Sequence, residues 1–406
     1  DLGDNDNNPQ VGSNWHGIYV SSFVGATADN GIQLAGSGFN CKIVPLKIES
    51  GGLLTAAYNS IVYAADHGFD VINCSWGSPN SWSQTGQDIC KYATVDKNCL
   101  VIASAGNDNS DNIWYPASFD WVLSVGGTNR DSEKWGEGSS DGSTYNDFVD
   151  IMAPANELYR VNNGGGPILG GGIGTSFSAP IVSGIAGLVK SKHSGYSALQ
   201  VLEQLKATAR NIDTIPYNEP FSGKLGRGLV DANAAVNNTS LPGLVFDGAT
   251  FTDNDDQLFL PGDTIQLYGA VINFLNNSSA ATKYKLETNS PYIELLDSVQ
   301  PLIAIPYGQS LNTSPLPLSF IVKESMPKNQ QVFFKVIMED GNYYNWRMVS
   351  ALFNEDYLNI RENNISMSVG ASGKLGYNGA QGDQSVGLGV KYKGAASSAY
   401  VIGVMA

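Results

Sequence analysis

The chain has 406 residues, 42% of them hydrophobic, which is enough for two or three folded domains. Its 38 acidic residues outnumber 23 basic residues and give a net charge of −15, which argues against a nucleic-acid partner. No apolar run reaches the length of a membrane span, and an acidic, lysine-poor composition suits a secreted protein.

The chain opens with an acidic, asparagine-rich stretch, residues 1–9. Within it, Asp4, Asp6 and Asn8 alternate as in some calcium loops, and residues 29–31 (Asp-Asn-Gly) form a second candidate. The closing glutamate of an EF-hand is absent after the first group. We therefore interpret both as solvated turns and predict no metal site, with calcium as an alternative structural ion.

His16 is the most informative of the chain's three histidines. Apolar residues follow it at helical spacing, among them Val20, Phe23 and Val24. His67 and His193 lie where helices are predicted to end, and a histidine there favourably meets the helix dipole. We interpret His67 and His193 as structural and keep His16 as a candidate base.

The next segments alternate between helix and strand. The pattern predicts a helix over residues 56–66 and apolar strands over residues 42–48, 71–74, 100–105 and 122–125. Continuous apolar strands separated by helices are typical of a parallel, doubly wound α/β sheet. Ligands bind beyond the carboxyl ends of such strands, where Ser75-Trp76-Gly77 and Gly106-Asn107 are predicted to lie.

A glycine-rich stretch then leads into Gly174-Thr175-Ser176-Phe177-Ser178-Ala179-Pro180 and a helix. Ser176 is predicted at the helix N-terminus, where the macrodipole favours developing negative charge. Pro180 is predicted in the first helical turn, where its missing N–H costs little. A serine in this setting becomes a nucleophile if a base takes its proton and donors hold the oxyanion.

The pattern changes near residue 241. Polar and apolar residues alternate over residues 264–274, 318–322 and 332–338, and turn sequences separate these stretches. This predicts an antiparallel β-sandwich, immunoglobulin-like, over residues 244–354, after an α/β domain over residues 1–240. Residues 355–406 are predicted to form a further β module.

The four cysteines permit disulfides. Cys90, on a predicted helix, and Cys99, before the next strand, are predicted to pair. Cys41 and Cys74 are predicted to be buried thiols too far apart to bridge.

Taken in chain order, these motifs resemble those of the subtilisin-like serine proteases, the subtilases. The carrying segments are His16-Gly17, Ser75-Trp76-Gly77, Ala105-Gly106-Asn107, residues 115–118, Ala153-Pro154 and residues 174–180. The resemblance covers about the first 235 residues and implies a peptidase that cuts polypeptides without a required cofactor. It implies His16 as general base, Ser176 as nucleophile and Asn107 as oxyanion donor. It also implies that Ser75, Trp76, Gly77, Gly106 and Thr175 line the substrate.

The resemblance lacks one part, the aspartate that orients the histidine. Subtilases carry it in an Asp-Thr/Ser-Gly turn after a strand ahead of the histidine, and no such turn precedes His16. Ile18 and Tyr19 also depart from the family pattern. We expect an upstream cleaved fragment or a neighbouring chain to supply the missing strand, with Asp4 and Asp6 as weaker candidates.

Two hypotheses follow. One is a secreted serine endopeptidase, extracellular or at the cell surface. The other is a subtilase-fold protein without turnover that acts as a structural or binding component of an extracellular assembly.

Overall fold

The computed structural model describes residues 1–6, 8, 15–31, 34–51, 53–136, 140–161, 168–255, 257–355, 367–369 and 375–377. Its helices are α1 His16–Gly25, α2 Ala57–Asp66, α3 Gln84–Lys91, α4 Thr175–Lys192, α5 Ala198–Ala207 and α6 Ala232–Asn237. A π-helical turn, Tyr92–Asp96, follows α3, and a 3-10 helix spans Pro216–Phe221.

The first ten strands are β1 Glu49–Ser50, β2 Leu53–Leu54, β3 Val71–Cys74, β4 Ser78–Pro79, β5 Leu100–Ser104, β6 Trp114–Tyr115, β7 Val122–Thr128, β8 Ile151–Pro154, β9 Leu158–Arg160 and β10 Ile168–Gly172. The remaining strands are β11 Leu244–Thr252, β12 Thr264–Asn273, β13 Lys283–Glu287, β14 Ile293–Leu295, β15 Val299–Pro301, β16 Ser310–Asn312, β17 Leu318–Val322, β18 Gln330–Asp340, β19 Tyr343–Phe353, β20 Met367–Val369 and β21 Leu375–Tyr377.

The predicted α/β fold class is confirmed. Among the described residues, β3, β5, β7 and β8 form a parallel sheet in that order. Alternate residues of β5 face opposite layers: Leu100 and Ile102 pack with α4 and α5, whereas Val101 and Ala103 pack with α2 and α3. Because both faces are covered, β5 and β7 are buried along their whole length, which explains their apolar sequence.

The strand predicted over residues 42–48 is wrong. This stretch has no regular structure, and Ile43 and Val44 are 40% and 52% exposed. A strand needs a neighbour for its backbone hydrogen bonds, and in the described part of the chain β3 pairs only with β5. In the described part of the chain, the outer edge of β3 is therefore an unpaired sheet edge.

Two antiparallel sheets follow in the C-terminal half. The described residues of the first have the order β11-β12-β17-β14, with β16 also on β12, and those of the second have the order β15-β13-β18-β19. Both contribute to one apolar cluster, in which Phe246 and Phe320 come from the first sheet and Tyr284 and Phe334 from the second. This arrangement agrees with the predicted β-sandwich region.

The two antiparallel sheets dock against one edge of the parallel sheet. Trp346 Nε1 donates to Asp147 O at 2.9 Å, and Arg347 forms an ion pair with Asp120 at 3.0 Å. Asn345 Nδ2 donates to the buried Glu203 carboxylate at 2.8 Å. Asp120 lies just before β7 and Asp147 just before β8, so the contact is at the amino-terminal ends of the strands.

The cysteine predictions need correction. All four cysteines are free in the structure, so the predicted Cys90–Cys99 disulfide is wrong. Cys90 and Cys99 instead fill space in the cluster between α2, α3 and the sheet, where burial raises the pKa of each thiol to about 12. Cys74 is buried as predicted, whereas Cys41 is half-buried.

The boundaries predicted at residues 240, 244 and 354 stay predictions. Most of the predicted third module, residues 355–406, lies outside the described residues, where only Glu355 and the β20–β21 pair are described. None of the described helices is long and apolar enough to cross a membrane.

Candidate active site

Ser176 is the second residue of α4, as predicted. Gly174 precedes the helix with φ of +127°, which only glycine adopts easily, and its N–H donates to Ala155 O at 2.8 Å. Pro180 is the sixth residue of α4 rather than part of its first turn, so the sequence prediction was wrong there. An N–H at this position would have bonded the Ser176 carbonyl, four residues earlier.

Ser75 uses that vacant carbonyl. Its hydroxyl donates to Ser176 O at 2.8 Å, so the turn after β3 is tied to the nucleophile candidate. Ser75 Oγ accepts from Asn73 Nδ2 at 2.9 Å, and Asn73 Oδ1 accepts from Ser183 Oγ at 3.1 Å. A chain of polar contacts therefore links β3 to two points of α4, and Pro180 makes its first contact available.

Asn107 is held by the residue next to Ser176. Its Oδ1 accepts from Thr175 N–H at 2.9 Å and from Thr175 Oγ1 at 2.7 Å. Because one end of the planar amide is fixed toward α4, the Nδ2 donor group points away from Thr175. Thr175 itself is fully buried, and its hydroxyl is engaged by Asn107.

Gly106 completes this turn after β5. Its N–H donates to Thr175 Oγ1 at 3.3 Å, and its carbonyl lies 3.2 Å from the same oxygen, whose hydrogen makes the shorter bond to Asn107 Oδ1. Its φ is +112°, and a Cβ here would lie 2.6 Å from the Trp114 ring. Glycine is therefore required on both conformational and steric grounds.

His16 begins α1, which packs on α4. Its ring lies 5.9 Å from the ring of Phe177, the residue after Ser176, and Phe177 packs with Val20 and Phe23 of α1. The pKa of His16 is lowered from its ordinary value because burial disfavours the imidazolium. A carboxylate beside the ring would shift this pKa in the opposite direction.

The segment Ser75-Trp76-Gly77 runs from β3 into β4, which pairs with β6. The Trp76 ring packs edge-on against Tyr58 at 5.5 Å, within the apolar cluster under the sheet. At Gly77, a Cβ would lie 2.8 Å from Tyr115 O, so only glycine allows β4 and β6 to approach this closely.

The acidic N-terminal residues are engaged elsewhere. Lys47 forms ion pairs with Asp1 and Asp4, and the Asp4 pKa is lowered chiefly by its hydrogen bond with Lys47. Within the described ranges, no group of three His, Cys, Asp or Glu residues is placed to hold a metal ion.

The sequence predictions missed two residues around this site. Asn73 interrupts an apolar strand, a signal that could have marked it. Lys134 was not singled out although it is 1% exposed. A lone lysine in a polar loop gives no sign of burial.

Three neighbouring elements carry the candidate groups: α4 carries the Ser176 hydroxyl, the turn after β5 the Asn107 amide, and α1 the His16 imidazole. Thr175 ties the turn after β5 to α4, and Ser75 ties the turn after β3 to the same helix. A serine at a helix N-terminus beside an oriented amide is suited to bind an oxyanion. This arrangement can support acyl transfer.

Several known proteases have sequences similar to this chain. The extracellular basic protease of Dichelobacter nodosus is 30% identical over 243 residues, which are 55% of this chain and 39% of that protein. The cell wall-associated protease of Bacillus subtilis is 35% identical over 219 residues, 52% of this chain and 23% of that protein. Thermitase of Thermoactinomyces vulgaris is 33% identical over 215 residues, 52% of this chain and 73% of that enzyme.

The chain thus spans less than half of the first two relatives. A sequence profile described as the subtilase family matches residues 2–241, the part that carries α1, the parallel sheet and α4. This chain belongs to the subtilase family of serine proteases.

Proposed function

We propose that this protein is a secreted serine endopeptidase. Ser176 Oγ attacks the scissile carbonyl, His16 takes its proton, and Asn107 Nδ2 with the Ser176 N–H holds the oxyanion. The observation that supports this most is the double hydrogen bond from Thr175 to Asn107 Oδ1, which fixes the amide beside the nucleophile.

Substrate would lie as an extended polypeptide along Ser75, Trp76, Gly77 and Gly106. The turn after β3 is tied to Ser176 by the Ser75 hydroxyl, so a peptide bound along this turn would have a fixed relation to the nucleophile. The proposed chemistry needs only protein groups and no cofactor. Calcium, if bound, would serve as a structural ion.

Secretion is part of the proposal. The similar proteases from Dichelobacter nodosus and Bacillus subtilis are named extracellular and cell wall-associated, respectively. The net charge of −15 suits a protein in an extracellular environment.

We further propose that the acid of the triad comes on an extended strand that adds to the free edge of β3. The support is threefold: β3 pairs on one side only in the described region, residues 42–48 belong to no sheet there, and burial lowers the His16 pKa. The strand would come from an upstream cleaved fragment or from a neighbouring chain. Asp4 fits the role poorly because Lys47 engages it.

A fluorophosphonate probe tests the enzymatic proposal. The native protein should be labelled on a single serine, and Ser176→Ala should abolish labelling. Two serines on the same helix serve as controls. Ser191 is exposed, and Ser191→Ala should leave labelling unchanged. Ser178→Ala removes a buried hydroxyl that donates to Ala153 O. Labelling that persists in Ser176→Ala would disprove the assignment. A folded native protein that is never labelled would favour the second hypothesis, a structural or binding protein.

A further inference from the structure

Lys134 is a buried lysine close to the candidate oxyanion turn. It follows β7 at the carboxyl-terminal edge of the sheet, the edge that carries Asn107, and is 1% exposed. Its Nζ donates to Asn109 Oδ1 and, at 3.1 Å, to Trp135 O. Both acceptors are neutral oxygens, so these hydrogen bonds do not neutralise the charge of the ammonium.

Two aromatic rings flank this ammonium. Nζ lies 5.1 Å from the centroid of Tyr145 and 4.7 Å from that of Phe221, distances at which cation–π attraction is appreciable. Burial nevertheless lowers the pKa of Lys134 to about 8. A charge that is costly to bury is therefore held at this point by oxygens and ring faces.

Lys134 is linked to Asn107 through Asn109 and Gly142. Asn109 Nδ2 donates to Gly136 O at 2.9 Å, and Asn109 N–H donates to Gly142 O at 3.0 Å. Gly142 N–H in turn donates to Asn107 O at 3.2 Å. Lys134 thus helps to fasten the turn of residues 106–109 to Trp135, and through Asn109 to Gly136 and Gly142.

We propose that Lys134 is a positioning residue for the oxyanion donor: by holding Asn109, its ammonium fixes the turn from which Asn107 projects. This inference rests on the proposed role of Asn107. Thr175 fixes the side chain of Asn107 and Lys134 fixes its backbone, so both are needed for a preorganised donor.

The charged groups near Lys134 have other partners. Asp108 accepts from Thr144 and Asn112, and Glu133 accepts from Asn129. Lys224 lies 5.7 Å from the Tyr145 centroid and pairs with Asp111 at 3.9 Å. When Lys134 loses a proton, the group that donates to Asn109 therefore loses its charge. The hydrogen bond from Lys134 to Asn109 should weaken as the pH rises.

The test compares Lys134→Met with a control, Lys224→Met, which removes a more exposed ammonium that lies over the same Tyr145 ring. Lys134→Met should lower kcat and the rate of Ser176 labelling by about 10-fold, less than loss of the oxyanion donor itself, with KM within about twofold. It should also remove a decline in kcat on the alkaline side, and Lys224→Met should do neither. Thermal unfolding of each variant shows whether it folds, and Asn109→Ala replaces Lys134→Met if that variant does not.

The double variant Asn107→Ala/Lys134→Met separates positioning from general structure. If Lys134 acts through Asn107, the double variant should be no slower than Asn107→Ala alone. Additive losses, or unchanged kcat in Lys134→Met, would overturn the inference while leaving the peptidase proposal intact.

A second readout does not need turnover. The side-chain amide NMR signals of Asn107 should shift and broaden in Lys134→Met and stay unchanged in Lys224→Met. Unchanged signals in both variants would overturn the inference even if the protein proves inactive, whereas absent labelling of the native protein overturns only the peptidase proposal.

Discussion

At the scale of single residues, the site depends on which atom of each polar group is already engaged. Asn107 has its oxygen taken by Thr175, and Ser176 has its carbonyl taken by Ser75. What remains for a substrate is the amide donor of one and the hydroxyl of the other. His16 differs, because its environment is set chiefly by burial against α4.

This predicts the titration of His16. The unfolded chain binds a proton near the ordinary histidine pKa of about 6.5, whereas the folded chain binds it only at lower pH, so folding stability falls as the pH drops below about 6.5. NMR titration, with His16→Gln to identify the signal, should give a pKa below 6.5 for the chain alone. Added carboxylate-bearing strand should raise it, since a negative charge favours imidazolium. A value above 6.5 for the chain alone would contradict the burial argument.

The sequence was enough to single out Ser176, Asn107 and His16 as candidates, because each lies in a short motif at a predictable helix or strand end. It could not select Lys134, whose burial depends on Tyr145 and Phe221 from distant segments. Nor could it assign Thr175 its place beneath Asn107, since that contact spans 68 positions of the chain.

At the scale of elements, the apolar pattern of the sequence placed α2, β3 and β5 within one residue of their bounds, whereas it ended β7 three residues early and did not predict β8. It failed over residues 42–48, where an apolar run predicted a strand. An apolar pattern shows what a segment could bury, but a strand also needs a neighbouring strand for its backbone hydrogen bonds. That neighbour is not a local property, and in the described part of the chain residues 42–48 belong to no sheet.

The unpaired edge makes a prediction for strand capture. Ile43→Glu and Val44→Glu should weaken retention of a companion fragment or chain about 10-fold or more, because burying an unpaired carboxylate is costly. Both residues are exposed in the chain alone, so its thermal stability should change little. Native mass spectrometry before and after denaturation would measure retention, with Ile303→Glu, 70% exposed on the β-sandwich, as control. A monomeric, active chain with no companion would refute the proposed strand addition.

At the scale of the whole molecule, the two halves form one docked unit. Cationic side chains lie over aromatic rings along the contact: Lys335 is 4.1 Å from the Trp346 ring and Arg347 is 4.2 Å from the Trp121 ring. Glu203, 3% exposed on α5, bonds Asn345, and burial raises its pKa. A buried, hydrogen-bonded contact of this kind favours one fixed orientation over a flexible tether.

Trp346→Ala tests this docking. Loss of a half-buried tryptophan and its bond to Asp147 should lower the free energy of unfolding by roughly 2–4 kcal/mol and split the calorimetric transition in two. Limited proteolysis should then cut between α6 and β11, where the halves join. Leu316→Ala, 44% exposed on the sandwich, should change stability by less than about 0.5 kcal/mol. A single transition and an uncut join in Trp346→Ala would show that the halves do not depend on this contact.

The docking edge also determines where the candidate active site lies relative to the β-sandwich. The sandwich meets the parallel sheet where its strands begin, and Ser75 and Asn107 stand where strands end, about the full length of a strand away. The candidate active site therefore faces away from the sandwich. In the proposed peptidase, a large folded substrate would reach this site without contacting the sandwich.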